Sequence, residues 1–154
     1  MPGLETQFLR FENPTEDLID DYYMGAALRY MFTRGRSYFA IGVMKNIAQS
    51  NDSPTLVMDI FSYAFGKDFY PRYFGRGQNT FFNPFSGFEI GGIVFTSEEN
   101  ISHDFTFEPH IGIELFKNQY IILDTRIGYI FPINALKIES HRGLKHYFSL
   151  NFVF

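Results

Sequence analysis

Arg29, Asp59, Glu89, Glu108, His110, Glu114, Asp124, Arg126 and Lys145 all stand in stretches where polar and apolar residues alternate. Alternation puts residues two apart on the same face of a strand. Gathered in one interior, such groups have three possible chemistries. His110 with Glu108 and Glu114 offers a nitrogen and oxygen donor set for zinc or a harder divalent ion; a file of carboxylates and bases can pass protons or ions; or opposite charges can neutralise one another. The last is expected, because a small closed sheet is only wide enough to be filled by side chains and an unpaired charge there costs several kcal/mol. His110 is then hydrogen-bonded within the network, and neither metal nor other cofactor is expected. Ser102, His103 and Asp104 contain the three letters of a hydrolase triad, but neighbours on an extended chain point to opposite sides, and a triad is defined by geometry. His141 and His146 flank the last long connection and are expected to be solvated or interfacial.

The stretches that position these groups are strands. Residues 104–115 carry Phe105, Phe107, Pro109, Ile111, Ile113 and Leu115 on one face and Asp104, Thr106, Glu108, His110, Gly112 and Glu114 on the other. A tight turn at 117–119 leads to a second strand, with Ile121, Leu123, Thr125, Ile127, Tyr129 and Phe131 opposite Ile122, Asp124, Arg126, Gly128 and Ile130. The same pattern recurs at 22–32, at 38–44, at 87–94 and over the last eleven residues, 144–154. Two strands are weaker: 56–65, where Asp59 shares a face with Phe61 and Tyr63, and an opening strand around 7–11. Pro84 to Glu89 and Pro109 to Glu114 share the pattern P-x-x-G-x-E, with both prolines expected at bulges or strand ends. About eight strands in a single domain, 1–154, predict a closed antiparallel up-and-down barrel, all-β and membrane-spanning.

Composition supports that reading. The 154 residues include 20 Phe and 10 Tyr, no Trp and no Cys. The absence of Cys excludes disulfides and thiolate sites, and the aromatic content suits girdles at two lipid interfaces. Mean hydropathy is only -0.11, and no window approaches the roughly 18 apolar residues of a membrane helix, so spanning requires strands that show lipid every second residue. A net charge of -4 and a pI near 5.5 leave no basic footprint for nucleic acid. A soluble lipocalin-like ligand-binding barrel also alternates, with the opposite polarity. The near absence of charge on the apolar faces, the glycines on the polar faces and the lack of a G-x-W motif weigh against it.

Two resemblances add to this. The end of the chain resembles the closing strand of bacterial outer-membrane β-barrels, which finish on an aromatic with hydrophobics two and four positions back; Phe154, Phe152 and Leu150 fill those places, and Ser149 stands where the family has Gly. The resemblance implies export through a signal peptide not present in this chain, insertion by the barrel-assembly machinery, a Gram-negative outer-membrane location and contact with outer-membrane lipid and lipopolysaccharide. Residues 84–135 are similar to the second half of the lipid A 3-O-deacylase barrels in the Pro84-Phe85 start of one strand, in Phe107-Glu108 followed by Ile111-Gly112, and in Asn134-Ala135. Those enzymes carry His-x-Ser-Asn-Ala there. This chain has Phe131-Pro132-Ile133-Asn134-Ala135, so Phe131 and Ile133 occupy the places of base and nucleophile and acyl transfer is not expected.

The function expected is therefore structural or interactive, a membrane anchor acting through its loops, with a lipid-modifying enzyme or a narrow channel as the alternatives. Loops near 12–21, 46–54, 96–104 and 132–142 would be extracellular, and turns at 33–36 and 117–119 periplasmic. Residues 67–82 break this rule, being long, aromatic and basic where a short turn is expected. Phe69, Tyr70, Arg72, Tyr73, Phe74 and Arg76 make this stretch either a docking segment for another envelope protein or an extension of two strands.

Overall fold

The computed structural model describes residues 1–12, 21–32, 36–47, 59–96, 101–133 and 142–153, apart from the side chains of Asp21 and Asp59. Eight strands, β1 (Pro2–Glu12), β2 (Asp21–Met31), β3 (Ser37–Asn46), β4 (Asp59–Phe69), β5 (Phe81–Thr96), β6 (Ile101–Lys117), β7 (Ile121–Pro132) and β8 (Arg142–Phe152), pair in chain order and close as β1 against β8. All pairs are antiparallel. Closure leaves no edge to satisfy.

The side chains follow a strict period of two. On β1, Gly3, Glu5, Gln7, Leu9 and Phe11 turn inward while Leu4, Thr6, Phe8 and Arg10 turn out. On β6, Glu108 is 4% exposed and Ile111 69%. The polar face is therefore the interior, and the outer wall carries Leu28, Val43, Phe65, Ile90, Ile111, Ile127 and Phe148. A soluble barrel has the reverse polarity. Phe152 is exposed and Leu150 half-buried on the outer side of β8, and Phe154 lies outside the described residues.

Several boundaries differ from the sequence expectation. The first strand begins at Pro2 rather than near residue 7; Pro is tolerated at a strand's first position. β6 begins at Ile101 rather than residue 104. β4 runs on to Phe69, so Lys67, Asp68 and Phe69 belong to the sheet. Gly66 sits inside this strand because the ring of Tyr38 lies where its Cβ would be. Pro109 lies in mid-strand, and the β6–β7 pairing skips Glu108 and Pro109, as expected where an N–H is missing; the bulge itself lies between Glu114 and Phe116.

The long connection after β4 is a consequence of stagger. Phe69, the last residue of β4, pairs with Ser86, so residues 81–85 of β5 reach beyond β4 and have β6 alone beside them. Residues 70–80, containing a 3₁₀ stretch at Arg72–Gly77, fill the vacant side. The Asn79 N–H donates to Asn83 Oδ1 at 3.0 Å, Asn83 Nδ2 to the Asn79 carbonyl at 2.7 Å, and the Lys117 N–H to the Thr80 carbonyl at 2.8 Å.

Replacing Ile111 or Ile127 by Arg should destabilise the barrel by about 2–4 kcal/mol if these positions lie near a bilayer midplane, measured by urea unfolding in lipid vesicles. Unchanged stability would mean that this wall does not face hydrocarbon.

Candidate functional site

The lumen is filled in two storeys. Toward the end bearing the connections after β1, β3, β5 and β7, Leu9, Phe11, Tyr23, Met44, Ile60, Ile93, Phe95 and Ile130 form an apolar cluster. The remainder is mostly polar, with Met31, Phe85 and Ile122 among its buried residues. Arg126 donates from Nη2 to Glu5 Oε2 at 2.8 Å and lies 2.7 Å from Glu89 Oε1, while its Nη1 donates to the Tyr38 hydroxyl at 2.6 Å. Arg29 donates to Asp68 Oδ2 at 2.7 Å and reaches Asp124 at 3.4 Å. The Tyr38 ring is shared by the two cations, with the Arg29 guanidinium 3.8 Å and that of Arg126 4.9 Å from its centroid.

Hydroxyls and amides complete the network. Tyr147 donates to Glu108 at 2.5 Å, Ser149 to Glu5 at 3.0 Å, Asn151 to Asp124 at 2.9 Å and Tyr38 to Glu89 at 2.9 Å. Buried Glu5, Asp68, Glu89, Glu108, Glu114 and Asp124 outnumber buried Arg29, Arg126 and Lys145; the phenols and amides spread the surplus negative charge. A cavity of about 20 Å³, lined by Gln7, Ser62, Glu89, Thr106, Glu108 and Lys145 among others, has room for a single water.

Of the site residues expected from sequence, Arg29, Glu89, Glu108, His110, Glu114, Asp124, Arg126 and Lys145 are all buried inside, and the side chain of Asp59 lies outside the described set. They do not form one cluster. His110 Nε2 is 2.9 Å from Asp68 Oδ1, whereas Glu108 is held by Tyr147 and Glu114 by Tyr70 and Asn83. The three side chains that could in principle have shared a metal thus diverge, and among the described residues no group of three such side chains is placed to hold an ion.

Sequence reasoning missed Glu5, Asp68, Tyr38 and Tyr147 as network members. Glu5 preceded the expected start of β1, and Asp68 followed the expected end of β4; correct strand limits with the same alternation rule would have found both. The tyrosines stood on the faces now seen to be interior but had not been singled out from the alternation.

The other mouth of the lumen is capped by the connection after β4. The Tyr70 ring packs 5.3 Å from that of Phe85, carries the Arg36 guanidinium at 3.6 Å on it, and donates its hydroxyl to Glu114 Oε1 at 2.5 Å. Burial, then the Glu114 carboxylate, pushes this phenol well above its usual range. Gly77, at φ +70°, lies where a Cβ would strike Tyr70 and Arg36. The six residues expected to act as one segment therefore divide: Tyr70 is structural, while Phe69, Arg72, Tyr73, Phe74 and Arg76 are exposed.

Two histidines sit on the outer wall. His103 Nε2 is 2.9 Å from the Tyr63 hydroxyl, with the rings stacked. His146 lies in mid-strand rather than at a rim, because β8 starts at Arg142 and turns even positions outward; its Nε2 is 2.9 Å from Thr125 Oγ1. That hydroxyl also donates to the Tyr147 carbonyl at 2.9 Å. The Tyr147 carbonyl and His146 thus compete for the single proton of the Thr125 hydroxyl. Phe131 and Ile133 are both exposed. His141 lies outside the described residues.

An eight-stranded closed barrel with a polar, filled lumen and an apolar wall has the fold of the small outer-membrane β-barrels. Solved structures bear this out. The chain is similar to Neisserial surface protein A (NspA), at 12% identity and a TM-score of 0.60 over 99% of this chain and 96% of that one. It is also similar to Ail, the attachment invasion locus protein of Yersinia pestis, at 10% identity and a TM-score of 0.51 over 98% and 95%. No protein-family model matches the chain. No curated protein matches it either.

Arg126→Met strands Glu5 and Glu89 in a buried site, and the expected loss is about 3–5 kcal/mol, read as a lower urea midpoint in detergent. Adding E5Q and E89Q to the same chain should restore part of it.

Proposed function

We propose that this chain is an integral barrel of a bacterial outer membrane and works without catalysis, as a membrane anchor that presents its connections and rims to other envelope components. The observation that carries the reading is the filled lumen: among the described residues an apolar cluster above, a hydrogen-bonded charge network below and a capped mouth close the way through, while the apolar wall calls for a hydrocarbon surround. Lipid and lipopolysaccharide are the surroundings this reading implies, the barrel-assembly machinery its route of insertion, and a second envelope protein a candidate partner for its connections.

The test is purification in detergent followed by gel migration with and without heating, a β-rich spectrum, and planar-bilayer recording. Heat-modifiable migration without sustained conductance is expected. Steady single-channel openings abolished by changing Asp124 or Arg126 would overturn the sealed-lumen reading.

A lipid-acting enzyme is the second reading, and the pair of Thr125 and His146 on the lipid-facing wall favours it. Against it stand the Tyr147 carbonyl that competes for the Thr125 proton and the Phe131 and Ile133 side chains where the deacylases carry base and nucleophile. Incubation with lipid A should release no 3-O-acyl chain. Release that is lost in Thr125→Val would make this the better reading.

A further inference from the structure

The barrel's two ends differ in charge in a way that the net -4 conceals. At the end where β1 starts and β8 finishes, the rim carries Arg36, Lys67, Arg72, Arg76 and Lys117, and no carboxylate among the described residues is exposed there: Glu5, Asp68, Glu114 and Asp124 all point into the lumen. The other end is mixed: its rim carries Glu12 beside Arg10, Lys45 and Arg142, and its connections contain Glu16, Asp17, Asp20, Asp52, Glu98, Glu99 and Glu139 with Lys137 in sequence. The basic rim is also aromatic. Tyr73 is 99% exposed, and Phe74, Phe81 and Phe82 are each more than half exposed.

These side chains are held outward at a conformational cost. Arg76 has φ +55° between Gly75 at +74° and Gly77 at +70°, and Phe82 has φ +58°. Left-handed backbone at a bulky residue is rare and persists where surrounding structure enforces it. Here Lys117 Nζ donates to the Gly77 carbonyl at 3.0 Å and Arg36 Nη2 to the Arg76 carbonyl, which fixes the Arg76 backbone with its side chain exposed. Two rings of this end lead into the apolar wall, Phe81 packing on Phe116 at 5.4 Å and Phe69 running through Phe88 to Phe107 at 6.1 and 6.2 Å.

We propose that this rim binds the headgroups of anionic phospholipids in the adjoining leaflet, the phosphate lying against Arg72 and Arg76 and the upper acyl carbons against Phe74, Phe81 and Phe82. The inference rests on the membrane-barrel reading above. One-sign charge draws an anionic surface, and aromatics at the same level favour a lipid interface. Continuity with the wall chooses lipid over a soluble partner, which would meet the rings only where they leave the wall.

The experiment is native mass spectrometry of the detergent-folded barrel with equal amounts of dioleoylphosphatidylglycerol and dioleoylphosphatidylcholine. The expected result is preferential retention of the glycerol lipid on the order of tenfold, lost in R72Q/R76Q, kept in K45Q at the opposite rim, and not displaced by excess inorganic phosphate. Phe74→Ser with Phe82→Ser should weaken retention of both lipids. Equal retention by the unaltered protein, or a preference that survives R72Q/R76Q, would overturn the proposal. So would displacement by inorganic phosphate, or loss of a co-purifying protein in R72Q/R76Q with lipid preference intact. Heat-modifiable migration of every variant separates these outcomes from failure of the barrel reading itself.

Discussion

The structure depends on two buried guanidiniums. An eight-stranded sheet closes around a space that side chains must fill, and below the apolar cluster most of the inward positions are polar. Arg29 and Arg126, both about 1% exposed, tie Glu5, Asp68, Glu89 and Asp124 across the lumen. Each has five donors in a planar fork, so one side chain can serve carboxylates arriving from different strands and still lie flat on Tyr38. Lysines could not do both.

Filling the lumen in this way has a functional meaning. Charge lining a pore is useful where water can follow it, but here the network is bounded by Phe11, Tyr23 and Phe95 at one end and by Tyr70 over Glu114 at the other. What is left for interaction is the outside. The wall, the rims and the connections are where the molecule can meet anything, and among the described residues only one rim is basic without an exposed carboxylate.

Much of this was legible in the sequence, for one reason: a two-residue period survives local errors of boundary. A strand started five residues late, like β1, still assigns every residue it covers to the correct face. The lumen residues Arg29, Glu89, Glu108, His110, Glu114, Asp124 and Arg126 were found that way. Who bonds to whom was not legible, because partners come from strands brought together by barrel stagger, which alternation does not encode. His110 was grouped with Glu108 and Glu114, its neighbours in sequence, and in fact meets Asp68 from β4. The same stagger explains the length of the connection after β4, which looked anomalous only while sheet ends were assumed to be level.

Glu5 shows what closure means for the history of the chain. In the first hairpin the cation within reach is Arg29, 3.8 Å away in the finished barrel. Its closer partner, Arg126 at 2.8 Å, lies 121 residues further on, and Ser149 lies 144 residues away. A carboxylate on the first strand therefore waits for the last two strands before its desolvation is fully compensated. Pairings this distant in sequence are slow to form, and until they do, the open sheet holds charge that hydrocarbon will not accept. Glu5 is thus a lock on closure: its carboxylate is fully paired only when the first and last strands of the sheet have met.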